Sequence, residues 1–266
     1  QAADAAYLGT GSDASRNAAH LLGQVYQIAS STLRKLGEYE LAWLAADRAV
    51  AVCQRANDQL LAGTATFRVA NALLTLGRAR PALEVNLNIA NQLAPPYGED
   101  EPARLSVYGM LLLQGAMAAA QMGDNATVRD LINEAQEAAN RVGRDQNHYW
   151  TSFGITNVML HRAAAAVELG EGRQAVETHE RMSEAELNAM MPERRAHYLL
   201  DVARGYAQIG DIRRAGEMLV RGDQLAPNEI RCRPLAHEVM SDVLRRTRGA
   251  PPTAVAELAG QMGVGI

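Results

Sequence analysis

Leu36-Gly37-Glu38-Tyr39, followed by Ala42, opens a phrase that returns four times along the chain. The copies are Leu76-Gly77-Arg78-Ala79 with Ala82, Met122-Gly123-Asp124-Asn125 with Val128, Leu169-Gly170-Glu171-Gly172 with Ala175, and Ile209-Gly210-Asp211-Ile212 with Ala215. Their glycines lie 40, 46, 47 and 40 residues apart, which is a helical-repeat period. Glycine adopts the left-handed C-terminal conformation cheaply, an acidic or polar residue can start the next helix, and alanine lets two helices approach closely. Each phrase therefore reads as the bend of a helix hairpin. One hairpin cannot bury its own apolar face, whereas stacked hairpins cover one another.

Composition agrees. The 266 residues include 48 alanines and ten methionines against twelve aromatics, a set that favours helices over sheets. With 26 basic and 30 acidic side chains, the chain has no surplus of positive charge to hold a polyanion over its whole surface. Two cysteines, Cys53 and Cys232, make no disulfide framework and no paired zinc spacing, which fits a reducing cytoplasm. No apolar run is long enough to span a bilayer. The start, Gln1 to Tyr7, lacks an initiator methionine and a signal-peptide pattern, so a missing N-terminal module is expected.

Aligned on the glycine, the phrases resemble the tetratricopeptide repeat (TPR). Tyr26, Ser30, Gly37, Tyr39, Ala42, Ala46 and Ala49 of the first copy fall on its characteristic positions, as do Leu199, Ala203, Tyr206, Gly210, Ala215 and Pro227 of the fifth. Val128 and Gly172 depart from it, and the spacings exceed its period of about 34 residues. The resemblance implies an all-α, right-handed superhelical solenoid of about five TPR-like hairpins forming one domain over residues 1–266. Leu93 to Pro102, with Pro95-Pro96, reads as a loop; 233–248 reads as a capping helix, and Pro251-Pro252 separates it from a short terminal one.

Catalytic chemistry does not assemble. Gly9-Thr10-Gly11-Ser12-Asp13-Ala14 matches a dinucleotide fingerprint but follows no strand. His179-Glu180 and His237-Glu238 begin like a zinc-protease helix, yet Ser183 and Ser241 stand where the second histidine belongs. No catalytic residue, metal site or cofactor is expected. Arginine pairs such as Arg213-Arg214 have acidic neighbours and read as solvated faces, and the basic cluster Arg245, Arg246 and Arg248 suits a helix C-terminus.

The segment from Asn147 to Arg162 concentrates aromatic and hydrogen-bonding residues. If it is continuous helix, Trp150, Gly154, Asn157, His161 and Ala164 share one face and line a pocket with polar tips; packing in the core accounts for the same residues. The TPR resemblance further implies a concave inner face built from Thr64, Phe67, Asn71 and Leu74, with Arg68 at its margin. Asn157 and Leu160 with His161 beside them, and His197, Leu200, Arg204 and Gln208 with Asp201 beside them, continue it. Asparagine can both donate to and accept from a peptide backbone, and arginine can hold a carboxylate bidentately. That set suits a peptide or a small acidic ligand; an unused, solvated face would carry it equally.

Leu41 to Ala49, Trp150 to Arg162, and Arg194 to Asp201 resemble the TPR-like C-terminal region of actinobacterial transcription regulators with a phage-repressor-type (XRE) helix-turn-helix. That resemblance implies a cytoplasmic regulator whose repeats sense a signal or dimerise, with DNA bound only through the separate N-terminal domain. The architecture is also similar to Gram-positive peptide-pheromone receptors, where inner asparagines hold the peptide backbone, and Asn71 and Asn157 occupy comparable positions. The expected ligand contacts are Arg68, Asn71, Asn157, His161 and Arg204 as polar anchors and Phe67 and Trp150 as apolar walls. The competing expectation is a constitutive homodimer or docking scaffold without a ligand, centred on Met110, Met117 and Met122.

Overall fold

A computed structural model describes residues 13–265 apart from Tyr97 and Glu99. The dinucleotide-like Gly9 to Ser12 stretch lies outside the described residues. Each repeat phrase forms the same bend. Gly37, Gly77, Gly123, Gly170 and Gly210 have φ between 70° and 86°. The residue after each glycine donates its backbone N–H to a carbonyl five positions back: Glu38 to Leu33, Arg78 to Leu73, Asp124 to Ala119, Glu171 to Ala166 and Asp211 to Tyr206, at 2.7–3.0 Å. This six-to-one bond closes the exposed carbonyls of the ending helix. At Asp124 and Asp211 the side chain then caps the next helix, accepting from Thr127 N and Arg214 N. The residue five positions after each glycine, Ala42, Ala82, Val128, Ala175 or Ala215, is buried, as close helix approach requires.

The described chain is all-α and divides into two compact units. The first runs to Arg34 and from Glu38 to Val158; the second holds Lys35–Gly37 and the residues from Met159 onward. In the first unit the hairpins are α1 (Asp13–Lys35) with α2 (Tyr39–Arg55), α3 (Gln59–Thr75) with α4 (Ala79–Leu93), and α5 (Pro102–Gln121) with α6 (Asn125–Val142). The loop before α5 ends on Pro102 at the first helical turn, where its missing N–H costs nothing. Helix α5 is buried nearly all round, from Leu105 to Ala120, and packs against α3, α4 and α6. Uniform burial explains why its sequence shows no polar stripe.

Residues 147–154 correct the expectation of continuous helix. Gly143 ends α6 in the left-handed region, and Gln146 pairs with Phe153 in an isolated antiparallel bridge around a 3-10 turn at His148–Trp150. Helix α7 begins only at Ile155 and ends at Glu168. Side chains compete with the helix for its backbone groups. Asp145 Oδ1 accepts from Thr156 N at 3.2 Å, and Asn147 Oδ1 accepts from Ser152 N at 3.0 Å and Ser152 Oγ at 3.1 Å. Phe153 is fully buried against Gly109 of α5, where a Cβ would lie 2.0 Å from the ring's Cζ.

In the second unit α10 (Pro192–Gln208) packs against α8 (Gly172–Arg181) and α11 (Ile212–Leu225) around Leu199, Leu200, Leu219, Ile230 and Met240. Two short helices, α9 (Glu184–Ala189) and α12 (Pro227–Arg231), were not expected from the sequence. Ser183 forms a capping box with Glu186 at the start of α9, which gives that residue a structural role. The expected C-terminal helices are present as α13 (Pro234–Arg246) and α14 (Thr253–Met262), both packed on α11, with Val243 and Val255 closing over Gly216.

Candidate functional site

Three of the expected contacts sit together on α3. Phe67 is half-buried, the Arg68 guanidinium carbon lies 5.0 Å from the centroid of its ring, and Asn71 Nδ2 donates to the Phe67 carbonyl at 3.2 Å. Arg68 differs from ion-paired arginines such as Arg204. The residue retains some solvent access, but its Nε is sealed and has no hydrogen-bond partner, and no carboxylate pairs with it among the described residues. Burial lowers its pKa to about 10. Thr64 and Leu74, also expected on this face, are buried, with Thr64 Oγ1 donating to the Leu61 carbonyl.

The other first-unit contacts lie in different surroundings. Trp150 does not share a helical face with Asn157: it stands in the 3-10 turn with φ 61° and is 71% exposed. Asn157 is buried, its Nδ2 3.0 Å from the Met110 sulfur. Met110 is itself buried and Met117 packs into the core under α3 and α4, so neither forms an exposed apolar centre.

His161 and Arg204 belong to the second unit. His161 is half-buried on α7. Arg204 Nη1 lies 2.7 Å from Glu168 Oε1 and 3.5 Å from Asp201 Oδ1. Burial pushes the Asp201 carboxyl up to about 6, against the pull of Arg204, and nearby Glu168 adds to the rise. A ligand carboxylate at Arg204 would have to compete with two carboxylates already in place.

Sequence reasoning missed Tyr149. Its hydroxyl donates to both oxygens of Asp58, at 3.0 and 3.3 Å, while Asp58 caps α3 through Leu61 N. The ring joins the cluster containing Ala49, Cys53, Leu61 and Ala65. The signal was the bracketing of Asn147 to Ser152 by Gly143 and Gly154, which marks a loop.

No protein-family profile and no curated protein matches the chain. Among solved structures, it is similar to a thermophilic TPR protein of Thermus thermophilus, at 20% identity and a TM-score of 0.51, over 84% of this chain and 99% of that one. A putative kinesin light chain of Podosopora anserina with nearly identical TPR-like repeats aligns at 16% identity and a TM-score of 0.45, over 76% of this chain and 93% of that one. The likeness to the Thermus protein establishes the class: the chain has a TPR-like repeat fold.

Proposed function

We propose that the chain is the signal-binding part of a cytoplasmic helix-turn-helix transcription regulator, with an anionic peptide or small acid held at α3 and DNA bound by a tethered module outside these residues. The residue resemblance to phage-repressor-type regulators supports the regulatory setting. Arg68 carries the ligand reading. A cation withdrawn from water without a counter-charge is unfavourable, and a ligand carboxylate supplies the partner that the described residues do not give Arg68. Phe67 and Asn71, one turn or less away, offer an apolar wall and a carboxamide. Trp150 and Asn157 remain proposed secondary contacts of the same unit, and His161 and Arg204 remain proposed ligand contacts of the second unit taken by itself. The signal acts through unequal affinity for two conformations of the repeats.

The probe is a panel of acidic pentapeptides, each as free acid and as C-terminal amide, titrated by 15N NMR that resolves the Arg68 side-chain Nε signal. Free acids should shift that signal, amides should shift it less, and Arg68→Met should abolish the difference. Methionine fills a similar volume without a charge, so the Arg68→Met variant should melt at or above the wild-type temperature. Identical responses to acid and amide, or unchanged binding by Arg68→Met, would defeat the reading. A constitutive interaction scaffold is the second reading, favoured by the uncovered apolar face of α1.

A further inference from the structure

We infer that α1 is a self-association surface on which a second copy of this chain lays its own α1 antiparallel. One face of the helix is committed to its own hairpin: Ala19, Leu22 and Tyr26 pack with Val52 and Ala56, and Gln27 points to Cys53. The opposite face leaves Leu21 57%, Val25 57% and Ile28 67% exposed, with Asn17 and Thr32 exposed at its two ends. Positions 17, 21, 25, 28 and 32 advance by four, four, three and four, which keeps them within one narrow stripe of a helix.

The stripe is also free of charge. From Asn17 to Leu33 there is no Asp, Glu, Lys or Arg, whereas the chain as a whole is 21% charged, which would place three or four in a stretch that long. Depletion of charge around large exposed aliphatics is the composition of an interface centre. Solvated helices are made otherwise, as the charged outer faces of α6 and α11 show. At the opposite end of the sequence, α13 and α14 bring Val243, Val255, Leu258 and Met262 into the core.

The occupant follows from the register. Turned antiparallel about a two-fold axis beside residues 24 and 25, Leu21 meets Ile28 of the second copy, Val25 meets its equivalent, and Asn17 meets Thr32. Asp13 in the first turn, paired with Arg16, then lies toward the end of the second helix, where Lys35 is paired with Glu229, and the two helix dipoles oppose. A 23-residue helix offers roughly 34 Å of seam, enough to reach roughly the 1,000 Å² that a specific interface requires. This inference stands independently of the α3 ligand reading.

Sedimentation velocity of the full chain should show a dimer. Val25→Glu, which sets two carboxylates against each other beside the axis, should weaken it at least about 100-fold while leaving helix content and melting of the separated chain unchanged, because Val25 is exposed. In a Cys232→Ser background, Leu21→Cys alone and Ile28→Cys alone should resist oxidative cross-linking, and their equimolar mixture should cross-link. A dimer that survives Val25→Glu, a wild-type chain that is monomeric at all concentrations, or cross-linking of Leu21→Cys with itself would each overturn the proposal.

Discussion

A methyl group added at Gly123 and one added at Gly109 meet opposite environments. Nothing lies within 4 Å of a Cβ at Gly123, so only its φ of 73° opposes a side chain. Gly123→Ala should therefore cost about 1 kcal/mol, the left-handed penalty for an L-residue. At Gly109 the new Cβ would lie 2.0, 2.3 and 2.7 Å from three atoms of the Phe153 ring, which is itself fully buried and has nowhere to turn. Gly109→Ala should cost about 3 kcal/mol, at the upper end of overpacking effects, and should loosen the 143–154 connection as well. Urea midpoints with unchanged slopes would separate the two. Equal costs would mean that Phe153 relaxes freely or that the repeat bend is strained beyond its φ.

At the scale of elements, the five bends were legible because a glycine followed by a polar residue encodes both the stop and the restart of a helix locally. Residues 147–154 were not, because helical spacing was read through side chains that bond their own backbone and through Phe153, whose burial against Gly109 is a contact far away in sequence. Helices α9 and α12 escaped for a related reason: six and five residues carry too little periodicity to declare themselves. On α3, the TPR resemblance implied that Phe67, Arg68 and Asn71 lie together, but the lack of a counter-charge at Arg68 among the described residues depends on what the other helices do not supply. The 143–154 connection is itself testable. Tyr149, Trp150 and Ser152 are non-glycine residues at φ of 50°, 61° and 48°, each unfavourable by roughly 1 kcal/mol or more. The Tyr149 hydroxyl on the Asp58 carboxylate helps to hold them. Tyr149→Phe should destabilise the chain by about 1–2 kcal/mol and speed tryptic cleavage at exposed Arg144 several-fold. Unchanged cleavage would show that burial of Phe153 alone fixes the segment.

For the whole molecule, four carboxylates and a fifth, Asp201, make opposed contributions to stability against pH. Asp124 and Glu186, which accept bonds from Thr127 and Ser183, are held below their usual range, as are Glu229 and Asp242, where Arg233, Lys35, Arg245 and Arg246 outweigh the effect of burial. They favour the folded state above the unfolded carboxylate pKa and lose that contribution as pH falls through their lowered values. Asp201 acts in the reverse sense. Its folded pKa of about 6 exceeds the unfolded 3.8, so between these values the folded chain binds more protons and stability declines as pH rises. The full effect is about 3 kcal/mol at most, developed by neutral pH. Asp201→Asn removes that titration and leaves Arg204 its shorter contact with Glu168. The melting temperature of Asp201→Asn relative to wild type should therefore rise between pH 4 and pH 6.5 and level off above it. Any constant offset at low pH reports the amide substitution itself, and only the pH-dependent part reports the buried charge. A difference that stays flat across this interval would mean that Arg204 and Arg233 keep Asp201 ionised in the folded chain at low pH, as they do not if burial governs it.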